Sequence, residues 1–278
     1  MTDQSMSFVA IEAAQDERAY GGKAAQLAVA SRAGLPVPAG VALSWRLVDA
    51  VADGDPEAMG LLEGAASTLG GFLAVRSSAV GEDSSAASFA GQHRSLLNVL
   101  ADRVAAAVAE VRQSGHSAPA RAYRQRLGVP ETARIGVVIQ DMVDADVAGV
   151  LFRPNPVTGA DEIVIESAWG LGEAVANGLV TPDLFRLSLE GELLERRCGV
   201  KDVQVRPAPG GGTIARPAPP ATAGAMSLDD RGLADLHRLA TICTDVFGGS
   251  QDLEWALADR AVWLMQRRAV TAAAPRGV

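Results

Sequence analysis

Residues Gln251 to Arg268, QDLEWALADRAVWLMQRR, gather the side chains best suited to chemistry. Read as two strands around a turn at Ala258 to Ala261, the stretch alternates with the period of two that a pleated strand requires. Antiparallel partners keep a constant sum of residue numbers, so Glu254 opposite Gln266 puts Asp252 opposite Arg268. All four then project from one face. The other face receives Leu253, Trp255, Leu257, Trp263 and Met265, an apolar set fit to pack on a core. Two carboxylates, an amide and a guanidinium on an apolar backing offer hard oxygen donors for a magnesium ion and a fixed cation for a phosphate. An ordinary surface hairpin with a solvated polar face and two incidental salt bridges has the same alternation. The rest of the chain has to decide between them.

Three further stretches carry residue types that suit a phosphate. Tyr20-Gly21-Gly22-Lys23 opens a helix, Ala24 to Ala33, which ends at Gly34 before Pro36 and Pro38. Glycines there leave backbone N–H groups uncovered and Lys23 adds a cation, although the spacing is not that of a Walker loop. Phe72 to Arg76 reads as a strand whose last residue stands at the mouth of the small-residue loop Ser77 to Gln92. Such a loop can approach a ligand closely and close over it. Arg153 to Gly159, RPNPVTG, is a proline-held turn that could offer the Thr158 hydroxyl and open amides, ending at Gly159. Each of these taken singly also fits a helix start, a surface loop or a plain turn.

The elements that would position them alternate irregularly. Strands are expected at Phe8 to Ile11, Gly40 to Leu43, Ser95 to Val99, Arg134 to Gln140, Val147 to Phe152, Glu162 to Ser167, Pro182 to Leu189 and Glu192 to Gly199. Helices are expected over Leu47 to Leu69 with a break near Asp53 to Pro56, over Ala101 to Ser114, around Arg121 to Leu127 and over Leu228 to Val246. A short helix follows Ala168-Trp-Gly-Leu-Gly-Glu173, with Glu166 and Glu173 flanking the glycines. Residues Arg206 to Ala225, rich in Pro, Gly and Ala, read as a loop or hinge.

At 278 residues, 48% hydrophobic and 21% charged, the chain suits a globular protein with substantial cores. A net charge of -8 argues against a general nucleic-acid or anionic-membrane binder. Cys198 and Cys243 lack metal-ligand spacing, and the three histidines do not complete a site. His116 and His237 read as loop and helix residues without a catalytic partner. The N-terminal residues show no signal-peptide pattern and no apolar run reaches membrane-spanning length, so a reducing, cytoplasmic setting is expected.

Taken in order, GGKAAQL at Gly21, GLPVPAG at Gly34, VRSSAVGED at Val75, SFAGQ at Ser88, LLNV at Leu96 and VVIQDMV at Val137 resemble one known family. GVLFRPNPVTG at Gly149, ESAWGLGEAVANGLVTPD at Glu166, FGGSQDLEWAL at Phe247 and LMQRRAVT at Leu264 continue the series. The chain resembles the N-terminal ATP-binding domain of the phosphoenolpyruvate synthase, pyruvate phosphate dikinase and rifampin phosphotransferase family. The resemblance implies an α/β (α+β) ATP-grasp architecture in which two lobes enclose a nucleotide cleft. The first lobe, with glycine-rich phosphate loops, is expected over residues 1–190 and the second, with the metal and phosphate hairpin, over residues 191–278. It further implies that Lys23, Arg76 and Arg268 act on the phosphates and that Gly91, Thr158 and Gly159 belong to loops closing over them. Glu254 and Gln266 would be Mg-nucleotide ligands, with Asp252 beside them. Lys201, in Gly-Val-Lys, is a weaker candidate of the same kind.

In this family a histidine on a separate swivelling domain attacks the β-phosphoryl of ATP, AMP is released, and the γ-phosphoryl passes to water or phosphate. These 278 residues hold no Thr-Ser-His segment in a glycine-rich context, so that nucleophile is expected on another domain or protein. The segment between Pro38 and Phe72 is shorter than usual, and Ala269 stands where proline is usual. Three readings follow. The first is an Mg-ATP-using phosphotransferase that serves a separate histidine carrier. The second is a free-standing ATP-grasp kinase or ligase acting directly on a small molecule. The third is a nucleotide-binding module without turnover, against which the joint retention of Lys23, Arg76, Glu254, Gln266 and Arg268 argues.

Overall fold

The computed structural model describes residues 5–81, 94–127 and 134–269. The chain divides into two compact units, residues 1–143 with 207–214 and residues 144–206 with 215–278. The boundary expected at residue 190 therefore moves to 143/144. The reason is strand pairing: residues 147–153 lie in one sheet beside residues 251–258, so the segment from 144 to 190 shares a core with the C-terminal hairpin.

In the first unit the strands are β1 (Phe8–Ala10), β2 (Gly40–Leu43), β3 (Leu73–Ala79), β4 (Ser95–Val99) and β5 (Ile135–Asp141). They pair in the order β1-β2-β5-β3-β4, every pair antiparallel. Helices α1 (Glu17–Tyr20), α2 (Gly22–Arg32), α3 (Trp45–Ala52), α4 (Pro56–Ala66), α5 (Val104–Gly115) and α6 (Ala118–Leu127) complete the unit. Local chemistry sets the helix starts. The Ser44 hydroxyl accepts from Leu47 N–H and the Asp55 carboxylate accepts from Ala58 N–H, with Pro56 in the first turn. One sheet face carries Leu43, Val75, Val137 and Ile139 against Leu47, Val48 and Val108 of α3 and α5. The other carries Ala42 and Val138 against Ala24, Leu27 and Ala28 of α2. Because both faces are covered, β3 is buried at every position and reads as an unbroken run. It also continues through Ser77, Ser78 and Ala79, where the small residues by themselves suggest a loop. The small residues are strand members because β5 pairs with them across Ile135 to Val137.

The second unit is built on a six-stranded antiparallel sheet in the order β13-β12-β6-β7-β8-β9. Its strands are β6 (Val147–Arg153), β7 (Ile163–Trp169), β8 (Asp183–Leu187), β9 (Leu193–Arg197), β12 (Gln251–Ala258) and β13 (Ala261–Ala269). The stretch from 206 to 225 is not a plain link. It contains most of the ribbon β10 (Val203–Pro207) and β11 (Thr213–Pro217), and the short helix α8 (Pro220–Ala223). Proline closes each of these strands, so composition suggested a hinge where backbone pairing makes a ribbon. Helix α7 (Glu173–Ala176) follows β7, and α9 (Asp230–Phe247) starts where the Asp229 carboxylate accepts from Gly232 N–H. Helix α9 packs on β12 and β13.

Gly149 of β6 lies directly opposite Trp255. A Cβ there would stand 1.9 Å from the Glu166 carbonyl oxygen and 2.9 Å from the Trp255 ring. Gly149→Ala therefore has to spread β6 from β7 and is expected to cost about 1–3 kcal/mol by overpacking. A lower urea midpoint at unchanged slope would report it.

Candidate functional site

The hairpin face belongs to the second unit. The register pairs Asp252 with Arg268 and Glu254 with Gln266, as the constant-sum rule expects. Arg268 donates to the Glu254 carboxylate at 3.0 Å and lies 3.8 Å from that of Asp252. Gln266 is buried beside them. Burial pushes the Asp252 carboxyl up and the neighbouring Glu254 adds to this, while Arg268 draws it down; the net direction is upward. The row continues across the sheet, since Glu254 faces Val150 and Val150 faces Glu166. Glu166 thus shares the polar face with Glu254, two strands away, roughly 10 Å by strand spacing.

The apolar backing differs from the sequence reading. A β-bulge between Glu254 and Trp255 leaves Met265 as the extra residue, so Trp255 pairs with Leu264 and Ala256 with Trp263. Leu264, fully buried, is the partner of Trp255, and Trp263 turns to the face that carries Glu254. Simple alternation cannot see this, because one inserted residue exchanges the faces beyond it. Arg267, passed over in the sequence, lies buried on the apolar face opposite Leu253.

In the first unit, α2 begins beneath the end of β3. Gly21 has φ +85°, and a Cβ there would fall 1.8 Å from the Ser78 carbonyl oxygen, so only glycine allows this approach. The Ser78 hydroxyl accepts from Ala24 N–H at 2.9 Å. Arg76 and Ser78 alternate onto one face of β3, the face on which α2 packs. Lys23 in the first turn of α2 and Arg76 on the strand are thus positioned by one contact, and both are largely buried. Ser78 was not singled out in the sequence; a hydroxyl two residues after Arg76 was the available signal. Gly91 lies outside the described residues.

The turn holding Thr158 and Gly159 is internally bonded. Asn155 Oδ1 accepts from the amides of Val157 and Thr158, the Gly159 amide donates to the Asn155 carbonyl, and Thr158 Oγ1 accepts from Ala160 N–H. The open amides expected there are therefore occupied within the turn. Asn155 Nδ2 in turn donates to Glu162, which Arg186 grips through two nitrogens at 2.7 and 2.9 Å. The hydrogen bond from Arg186, then that from Asn155, holds the Glu162 carboxyl below its ordinary range.

Lys201 is engaged in an ion pair within the second unit. It is fully buried, and its Nζ meets Asp183 Oδ1 at 2.5 Å, with Asp183 equally buried. Asp183 also accepts from the amides of Gly199 and Ser227 and from the Ser227 hydroxyl. Burial alone pushes Asp183 up, but these bonds outweigh it and hold its carboxyl below the usual range.

A family model described as pyruvate phosphate dikinase, AMP/ATP-binding domain, matches residues 57–276. The chain belongs to this pyruvate phosphate dikinase AMP/ATP-binding domain family. Its mixed helices and antiparallel sheets are those of an ATP-grasp-type domain. A probable phosphoenolpyruvate synthase of Methanothermobacter thermautotrophicus is 39% identical over 72% of this chain and 30% of its own length. The prodigiosin synthesizing transferase PigC of Serratia marcescens is 41% identical over 73% of this chain and 23% of its own. A rifampicin phosphotransferase of Streptomyces sviceus is 35% identical over 73% and 24%. The chain thus spans less than a third of the length of these relatives. Among the described residues no helix is long and apolar enough to cross a membrane.

The donors on the hairpin fit magnesium. They are the oxygens of Glu254, Asp252 and Gln266, hard ligands without sulfur or imidazole. Magnesium is commonly held by one or two carboxylates completed by substrate phosphate oxygens. Among the described residues no group of three His, Cys, Asp or Glu is placed to hold a metal by itself.

Proposed function

We propose that this chain is an ATP-dependent phosphotransferase component that binds Mg-ATP and passes the β-phosphoryl to a histidine on a separate carrier domain or protein. The observation that carries this reading is the hairpin register, which turns Asp252, Glu254, Gln266 and Arg268 to one face. Membership of an AMP/ATP-binding family supports it. Glu254 and Gln266 hold the magnesium, which when bound spreads the charge of the phosphate chain. Lys23, Arg76 and Arg268 supply the remaining positive charge, and Gly91, Thr158 and Gly159 belong to the loops over the phosphates. Phosphoryl transfer asks little covalent work of a protein beyond positioning and charge stabilisation, which suits a face of fixed charges with no nucleophile of its own. The carrier's imidazole nitrogen attacks the β-phosphorus, and the bond to the α-phosphate oxygen breaks to release AMP. The γ-phosphoryl goes to water or phosphate. A reducing, cytoplasmic setting accords with such a partner.

The test is the nucleotide product. The protein and Mg-ATP are incubated separately with a protein fraction and a small-molecule fraction of the host. AMP formed only with the protein fraction is the expected result. ADP, or turnover with small molecules alone, would replace this reading by a free-standing kinase or ligase.

A further inference from the structure

Strand β13 carries an ambiguity that its composition does not resolve. Gln266 is followed by two arginines, and either could face the carboxylates of β12. If the register seen from Trp255 onward ran on without interruption, Met265 would oppose Glu254 and Arg267 would oppose Asp252. That slip of one residue would turn Gln266 and Arg268 to the α9 face and empty the site of both. The bulge at Met265 prevents it, and the contacts that favour the bulge lie on the face away from the site.

Arg267 is only 8% exposed. Its guanidinium carbon stands 4.6 Å from the centre of the Phe247 ring at the end of α9. Its Nε donates to Gln251 Oε1 at 2.9 Å. Gln251 is itself fully buried and donates through Nε2 to the carbonyls of Gly248, at 2.7 Å, and Cys243, at 3.4 Å. The end of α9, the first residue of β12 and the far half of β13 are thereby tied together. A buried guanidinium needs such partners, and a slipped register would remove both the ring and the amide from it.

We infer that Arg267 is a positioning residue: from the α9 face it fixes the bulged register that turns Gln266 and Arg268 toward Glu254 and Asp252. Its effect on nucleotide use rests on the reading of that face as the Mg-ATP site; its effect on register does not.

The experiment compares Arg267→Ser, Arg267→Leu and Glu254→Gln with the parent protein by amide hydrogen exchange without nucleotide and by Mg-dependent ATP binding. Arg267→Ser removes the tie and offers nothing apolar, so amides 264–268 should exchange about tenfold faster as that segment opens locally. ATP should bind roughly tenfold more weakly, as when a residue supporting metal ligands is lost. Arg267→Leu keeps the α9 face by apolar burial and should retain both protection and affinity. Parent-like exchange and affinity in Arg267→Ser would overturn the inference. So would lost affinity with full protection in Arg267→Leu, which would make Arg267 a direct charge contact. If Glu254→Gln binds Mg-ATP like the parent, the nucleotide reading of the face fails, and the exchange measurement still decides the register role.

Discussion

Lys201→Met is expected to cost about 3–5 kcal/mol of stability, the loss that follows when one partner of a buried ion pair is removed and the other stays. Asp183 would keep its bonds from Gly199 and Ser227 but lose the only cation it touches among the described residues. The pH dependence gives a second signature. The folded state holds Asp183 below its ordinary range, so at acid pH the unfolded chain binds more protons and stability rises with pH. The contribution is complete above the unfolded carboxylate value and is lost as pH falls through the folded one. Without Lys201 the folded value moves up, so acid unfolding of the variant should begin at higher pH than in the parent. Glu162, also held low, contributes in the same sense to both proteins. Urea denaturation across a pH series measures both effects. Unchanged stability together with weakened ATP binding would return Lys201 to a ligand role.

The second large effect concerns activity rather than stability. Glu254→Ala and Gln266→Ala should each lower Mg-ATP turnover on the order of 10²–10³-fold, the scale seen when one preorganised group stabilising transition-state charge is removed. Glu254→Ala should leave stability within about 1 kcal/mol, because its ion pair with Arg268 is partly exposed to solvent. Lys23→Ala and Arg76→Ala should likewise reduce turnover more than folding, although both side chains are largely buried and some loss of stability will accompany them. Steady-state rates over a range of magnesium concentrations, set beside urea midpoints, separate the two effects. A Glu254→Ala protein that loses stability while its folded fraction turns over normally would remove this residue from the site.

These expectations differ in how far the sequence supports them. The pairing of Asp252 with Arg268 was legible only once Glu254 was set opposite Gln266, because an uninterrupted register from the turn at Ala258 to Ala261 would place Met265 opposite Glu254. The strand that begins in FLAVR and the Gly-Gly-Lys helix start were legible from local residue patterns. Their meeting was not, since the Ser78 hydroxyl reaches Ala24 over a separation of 54 residues. Nor was the pairing of β6 with β12, which moves the boundary between units from 190 to 143.

The sequence by itself determined the kinds of element, the polar face of β12 and, through ten ordered motifs, the family. All of these are read from periods of two or three to four residues and from short strings of residue types. Tertiary structure decided which lysine is a structural ion-pair partner, because Lys201 and Asp183 differ from a solvated pair only in their burial. It also decided which of two adjacent arginines faces the carboxylates. The bulge at Met265 makes that choice, and it is held by Phe247 and Gln251 on the opposite side of the sheet, where no local pattern in β13 could record it.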